Sequence, residues 1–155
     1  MPSTRDTIPR GGRHIRAVSG GAAYVVDCGD GVARQLVSAG VPLASLRHVF
    51  ITYQHSDHNA DYGNLLLLAW TAGLRTRVDT WGPPPLERMT KLFFEMNQYD
   101  IDTRIANEGR TPLSPLVSPH ELREGGAVMS DDHVRVTARR HFRGAVIVGN
   151  DLLEV

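Results

Sequence analysis

Apolar positions come in short bursts separated by glycine and proline. The chain therefore reads as strands and helices in alternation, an α/β pattern. Residues 14–18 alternate weakly, Gly20-Gly21 signals a turn, and residues 22–26 form an apolar run, which together predict a hairpin. Residues 32–37 have helical spacing and stop before Gly40 and Pro42. A helical turn over 43–47 leads to a predicted strand at 48–52. Residues 60–70, with four consecutive leucines from Leu65 to Leu68, predict a helix apolar nearly all round and largely buried. A strand at 77–81 stops at Gly82 and three prolines. Residues 86–99 predict an amphipathic helix with Met89, Leu92, Phe93 and Met96 facing the core. Residues 100–119 read as loop with at most one short strand. Gly125-Gly126 turns the chain, and strands are predicted at 134–138 and 145–148, with a short tail after them. No repeat or low-complexity tract breaks this order, so residues 1–155 read as one domain.

The strand at 48–52 is where chemistry enters. Its β-branched and aromatic residues run directly into Tyr53, Gln54, His55, Ser56, Asp57 and His58. His55, Asp57 and His58 are nitrogen and oxygen donors of the kind zinc takes, and less selectively iron or manganese. The stretch from His55 to His58 also reads as a solvated turn, with Ser56 or Asp57 capping the next helix. The strand before ends in Asp27-Cys28-Gly29-Asp30-Gly31. Asp27 either steadies the metal loop from behind or bonds backbone at a strand end.

Other polar groups carry less. Asp131, Asp132 and His133, with His120, are candidate replacement ligands, and the first three also read as the turn before residue 134. Arg139, Arg140 and Arg143 form a small basic cluster that reads as a solvated face. The glycine pairs lack the spacing and the lysine of a phosphate loop. Cys28 has no base near it in sequence and reads as a small buried hydrophobe.

Composition narrows the class of protein. Seventeen basic residues balance seventeen acidic ones, so bulk charge draws the chain to neither nucleic acid nor membrane. One cysteine excludes an internal disulfide and fits a reducing compartment. No segment reads as a signal peptide or a membrane span, so the expected location is the cytoplasm, with no membrane partner.

The run from Asp27 to Gly31, followed by the run from Ile51 to Asp61, resembles the metallo-β-lactamase-fold hydrolases, in particular the ribonuclease Z and arylsulfatase-like branch. That family places a His-x-His-x-Asp-His motif at the end of one strand and Asp-x-Gly at the end of the strand before. Trp81-Gly82-Pro83-Pro84, the strand at 134–138 and residues 142–155 are similar to later parts of the same fold. The resemblance implies an α/β metallo-β-lactamase-like αββα sandwich. It also implies one or two zinc ions and hydrolysis of a phosphodiester or sulfate ester in a small molecule or nucleic acid, by a metal-activated water. Asp57 and His58 would serve one metal, His55 would serve the other, and Asp57 would also take the proton of the attacking water.

Two departures qualify the mechanism. Tyr53 stands where the motif begins with histidine, and a phenol with a pKa of about 10 is a poor ligand at neutral pH. The section between Ala138 and Phe142 is short, with no Gly-Asp-Thr turn, and His141 does not match the ligand expected there. The chain thus reads as the first half of the fold joined to its last strand. A partial metal site at His55, Asp57 and His58 is expected, together with an exposed apolar sheet face and hence self-association. The alternative is a catalytically silent relative that acts as an interaction or regulatory protein.

Overall fold

The computed structural model describes residues 15–132, 134–138 and 145–149. Five strands form the first sheet: β1 (Ile15–Ser19), β2 (Ala22–Val26), β3 (Leu46–Phe50), β4 (Val78–Gly82) and β5 (Val117–Glu121), side by side in that order. β1 and β2 make the expected antiparallel hairpin, and Gly20 and Gly21 take the positive φ its two-residue turn requires. From β2 to β5 all pairings are parallel, with Val26 opposite Phe50 and Phe50 opposite Trp81. Parallel neighbours need crossovers, and the helices supply them. These are α1 (Val32–Ser38), α2 (Ser56–Asn59), α3 (Tyr62–Thr71), α4 (Leu86–Met96) and α5 (Gln98–Glu108). A second, antiparallel sheet holds β6 (Gly126–Ser130), β7 (Val134–Ala138) and β8 (Ala145–Gly149).

The core has two compartments, because successive strand residues point to opposite faces. On one face Val25, Val49, Ile51 and Val78 meet Leu36, Leu65, Leu66, Trp70 and Phe94 of the helices. On the other, Tyr24, Val26 and Phe50 meet Val134 and Val136 of the second sheet. The described residues thus build three layers of the expected sandwich: helices, first sheet and second sheet.

Several expectations need correction. Residues 98–108 are helix, not loop. Ile101 and Ile105 give a narrow apolar stripe, and the ion pairs of Arg104 with Asp100 (3.0 Å) and Glu108 (3.2 Å) support it at i,i+4 spacing. The helix expected over 86–99 ends at Met96, and its buried positions are Leu86, Thr90 and Phe94. Leu92 and Met96 are exposed instead. β5 carries Pro119, which an edge strand tolerates because no ladder hydrogen bond is lost there. β6 was not foreseen. The leucine run is buried at Leu65 and Leu66 but exposed at Leu68.

The apolar sheet face expected from the shortened second sheet takes a different form. Asp79, Trp81, Ser118 and His120 occupy the second-sheet side of β4 and β5, a mixed polar patch. His120 Nε2–H donates to the Asp79 carboxylate at 2.7 Å, and the ring stacks on Trp81 at 4.0 Å. Among the described residues, the large exposed apolar side chains, Val37, Leu68, Leu92, Met96 and Tyr99, all lie on helices. No helix among the described residues is long and apolar enough to cross a membrane.

Candidate metal centre

The site is built where two strand ends meet. Asp27 N–H donates to Phe50 O at 2.7 Å, and Ile51 N–H donates to Trp81 O at 2.7 Å, extending the ladder past β3. The chain then turns through Thr52, Tyr53 and Gln54 into α2. His55 holds the N-cap position in an extended conformation, with no side-chain cap, so neither Ser56 nor Asp57 is the cap. Cys28 N–H donates to His58 O at 2.6 Å, Asp61 N–H to Cys28 O at 2.8 Å, and Gly31 N–H to the Asp61 carboxylate at 2.7 Å. The loops after β2 and β3 are therefore stitched together.

Asp27 lies at the centre of this join. It is buried, and its φ of 62° places a non-glycine residue in the left-handed region, which costs about 1–2 kcal/mol. Its hydrogen bonds hold it there. Oδ1 accepts from Thr52 N–H at 2.8 Å and the Thr52 hydroxyl is 2.9 Å from both carboxylate oxygens. Oδ2 is 2.5 Å from His58 Nδ1. Asp27 thus bonds both the loop backbone and the histidine, joining the two readings of it from sequence.

The consequence for His58 is chemical. A carboxylate only accepts, so the proton sits on Nδ1 and the Nε2 lone pair is left for another partner. Nε2 is buried without a hydrogen bond, and the nearest carboxylate oxygen, Asp57 Oδ2, lies 3.5 Å away. A histidine fixed from behind by a carboxylate, with its far nitrogen unengaged, is the arrangement metal-ligating histidines adopt. Asp57 is half-exposed beside it and His55 is exposed.

Tyr53 joins the histidines as a ring. Its centroid is 4.0 Å from that of His58, tilted by 44°, and 4.8 Å from that of His55, edge-on. Gln54 and Asn59 also brace the loop, which nothing in their sequence positions signals. Asn59 donates to Gln54 Oε1 at 2.7 Å, and Gln54 donates to Pro83 O at 2.7 Å.

Of the other candidates, Asp132 is exposed in the turn before β7, and the rest are engaged elsewhere or lie outside the described residues. Asp131 accepts from the Tyr24 hydroxyl at 2.6 Å and from Val134 N–H at 2.7 Å, as a turn residue before β7 does. His120 is committed to Asp79 and Trp81. His133, Arg139, Arg140, His141 and Arg143 lie outside the described residues. Burial pushes the Cys28 thiol well up, with Asp27 and Asp61 adding to it, so the sulfur stays protonated as a small hydrophobe.

The fit to zinc is partial. A zinc site takes three or four protein ligands, and here His58 and Asp57 form a donor pair only. Among the described residues, no three His, Cys, Asp or Glu side chains gather as a metal-binding group.

Comparison with known proteins bears on this geometry. No family model matches the chain. It is 35% identical over 132 residues to ribonuclease Z of Mycobacterium sp. strain KMS, covering 84% of this chain and 45% of that protein. It is 30% identical over 146 residues to ribonuclease Z of Mycobacterium bovis, covering 86% and 52%. The chain spans about half the length of the curated relatives it matches. Among solved structures, the short form of human tRNase Z superposes with a TM-score of 0.70 at 19% identity, over 96% of this chain and 61% of that one. A metallo-β-lactamase fold protein of Bacillus subtilis gives 0.56 at 20% identity, over 84% and 46%. The chain has the metallo-β-lactamase fold, and over the part it spans it is similar in sequence to ribonuclease Z.

Proposed function

We propose that the chain carries part of the metal centre of a hydrolase that cleaves phosphodiesters in nucleic acid. The observation that supports this reading best is the Asp27–His58 pair, which leaves a buried imidazole nitrogen without a partner beside the Asp57 carboxylate. His58 and Asp57 would hold a zinc ion, and His55 is the nearest further donor in sequence. A bound zinc supplies a water acidic enough to be hydroxide near neutral pH and stabilises charge on the phosphoryl group. Asp27 fixes the His58 proton on Nδ1. Asp57 would serve as oxygen donor to the metal and as acceptor of the proton from the attacking water. The substrate class comes from the relatives named ribonuclease Z.

The test is metal content after incubation with excess zinc, followed by hydrolysis of bis(p-nitrophenyl) phosphate and of a short RNA. About one zinc per chain, lost in Asp57→Ala together with hydrolysis, supports the reading. No zinc in either protein sinks it. The contacts of Tyr53 with both histidines favour a second reading, a catalytically silent relative that works by binding a partner. In either case we extend the proposal to self-association through the exposed apolar side chains of the helices. Light scattering showing a monomer at micromolar concentration overturns that extension.

A further inference from the structure

We propose that the Trp81–His120 stack and the Asp79 carboxylate form a binding site for a nucleobase that carries an exocyclic amino group. Phe50, Trp81 and His120 lie in register across β3, β4 and β5, on the sheet face that looks toward the second sheet. The second sheet covers only part of this row. Phe50 is buried against Val134 and Val136, whereas the His120 side chain is 35% exposed. β5 is the last strand of the first sheet, so no strand of that sheet stands beyond His120. One face of the imidazole lies on Trp81, at 4.0 Å and 16° from parallel, and no other ring among the described residues meets it. His120 is therefore the outer ring of a shelf that opens at the sheet edge.

Asp79 fixes the plane of the shelf and leaves an acceptor beside it. His120 Nε2–H, Arg77 Nε–H and Arg77 Nη2–H all donate to Oδ1, at 2.7, 3.1 and 2.7 Å. Oδ2 accepts no hydrogen bond among the described residues, and the side chain is 21% exposed. Burial favours protonation of this carboxyl, but the bonds from His120 and Arg77 outweigh it and hold it below the usual range. Oδ2 is then an open acceptor near neutral pH.

Charge selects among ligands. Arg77 already balances Asp79, so a cation gains little here and a bare anion is repelled by the carboxylate. A neutral planar heterocycle gains from both features: its face stacks on the imidazole, and an in-plane amino N–H reaches Oδ2. Adenine, guanine and cytosine all meet that description. For an RNA strand as the source of the base, the proposal rests on the hydrolase reading. For the site it does not, since no donor of the candidate metal centre takes part.

The test uses the wild-type chain, His120→Ala and Asp79→Asn, titrated with adenosine and with purine riboside, the same nucleoside without its amino group. The readout is the indole 15N–1H spectrum, with one signal for each of the two tryptophans. Trp81 Nε1–H, on the inner ring of the shelf, has no hydrogen-bond partner. Trp70 Nε1–H donates to Thr111 O in the other core compartment and serves as the control. Adenosine should move the Trp81 signal saturably and leave that of Trp70 in place. Purine riboside should bind about threefold more weakly. His120→Ala removes the outer ring and should weaken adenosine binding about tenfold. In Asp79→Asn the three N–H donors hold the amide oxygen at the Oδ1 position, which puts NH2 where Oδ2 stood. Adenosine should then lose its advantage over purine riboside.

No saturable shift of Trp81 in the wild type, with adenosine at its solubility limit, overturns the site, and that measurement needs no variant to fold. So do equal shifts of both tryptophans, or a folded His120→Ala protein that binds adenosine as the wild type does. Equal affinity of the wild type for the two nucleosides overturns it as well, because Asp79 then contributes nothing. Oligoadenylate separates the sources of the base. A Trp81 shift at lower concentration than adenosine requires supports a base held in an RNA strand. A shift with adenosine alone upholds the site, assigns it to free nucleosides, and counts against the hydrolase reading.

Discussion

Asp27 Oδ2 and His58 Nδ1 stand 2.5 Å apart, and that pair joins the loop after β2 to the one-turn helix after β3. The two residues are 31 positions apart in sequence. Their contact is possible because β2 and β3 are parallel neighbours in register, so both strand ends reach the same rim of the sheet. The pair is also where fold and chemistry are hardest to separate. The carboxylate that closes the loops is the one that sets which nitrogen of His58 carries the proton.

Replacing Asp27 tests both roles. Asp27→Ala leaves Thr52 N–H, the Thr52 hydroxyl and His58 Nδ1 without their buried acceptor. Each unsatisfied group costs about 1–3 kcal/mol, partly recovered by relaxation, so an overall loss of about 3 kcal/mol is expected in urea unfolding. Asp27→Asn should cost less, since asparagine tolerates positive φ and keeps one acceptor oxygen. Imidazole 15N–1H spectra should place the His58 proton on Nδ1 in the wild type. If Asp27→Asn gives the same spectrum and the same midpoint as the wild type, the carboxylate is not what orients the ring.

A second, half-buried imidazole gives a pH dependence. His48 stacks between Tyr24 (5.2 Å) and Phe50 (6.1 Å), and its Nδ1 is buried without a partner. Burial pushes its pKa below the ordinary 6.5, against the pull of Asp79 and Asp131 and with help from Arg47 and His120. The folded state then holds fewer protons than the unfolded chain between that lowered value and 6.5. The His48 contribution is complete above about pH 6.5 and is lost as pH falls through the lowered value. His48→Phe keeps the aromatic stack and removes the titrating nitrogen. Thermal unfolding between pH 7.5 and 5 should show a shallower fall in the variant than in the wild type. Parallel curves for the two proteins would show that His48 titrates alike folded and unfolded.

Much of the frame was legible because its signals are local. The Gly20-Gly21 hairpin, the stop of α1 before Gly40 and the strand running into His55 all follow from neighbours in sequence. α5 was not legible, because two isoleucines four apart are a faint stripe among polar residues. Its support comes from ion pairs and from packing of Ile101 into a core formed by distant strands. At the site, His58 and Asp57 were legible as donors. That Tyr53 would lie across the histidines depends on side-chain placement, which spacing does not encode.

The contact between α3 and α4 is a place where one hydrogen decides the packing. Gly63 lies on α3 with the Phe93 ring of α4 directly over its Cα. A Cβ added there would fall 2.3 Å from Phe93 Cγ and 2.4 Å from Cδ2. In an exposed helix Gly→Ala would gain about 0.5–1 kcal/mol from backbone entropy. Here the added methyl meets the root of a ring that cannot bend away, so overpacking of about 1–3 kcal/mol should outweigh that gain. Gly63→Ala is therefore expected to lower stability by about 1–2 kcal/mol in urea unfolding, from the difference of those two effects. The cause can be isolated by repeating the substitution in a Phe93→Ala background. There no Cγ remains to meet the added methyl, and Gly63→Ala should become neutral or stabilising. An equal loss in both backgrounds would place the cost in the helix itself rather than in the contact between the two helices.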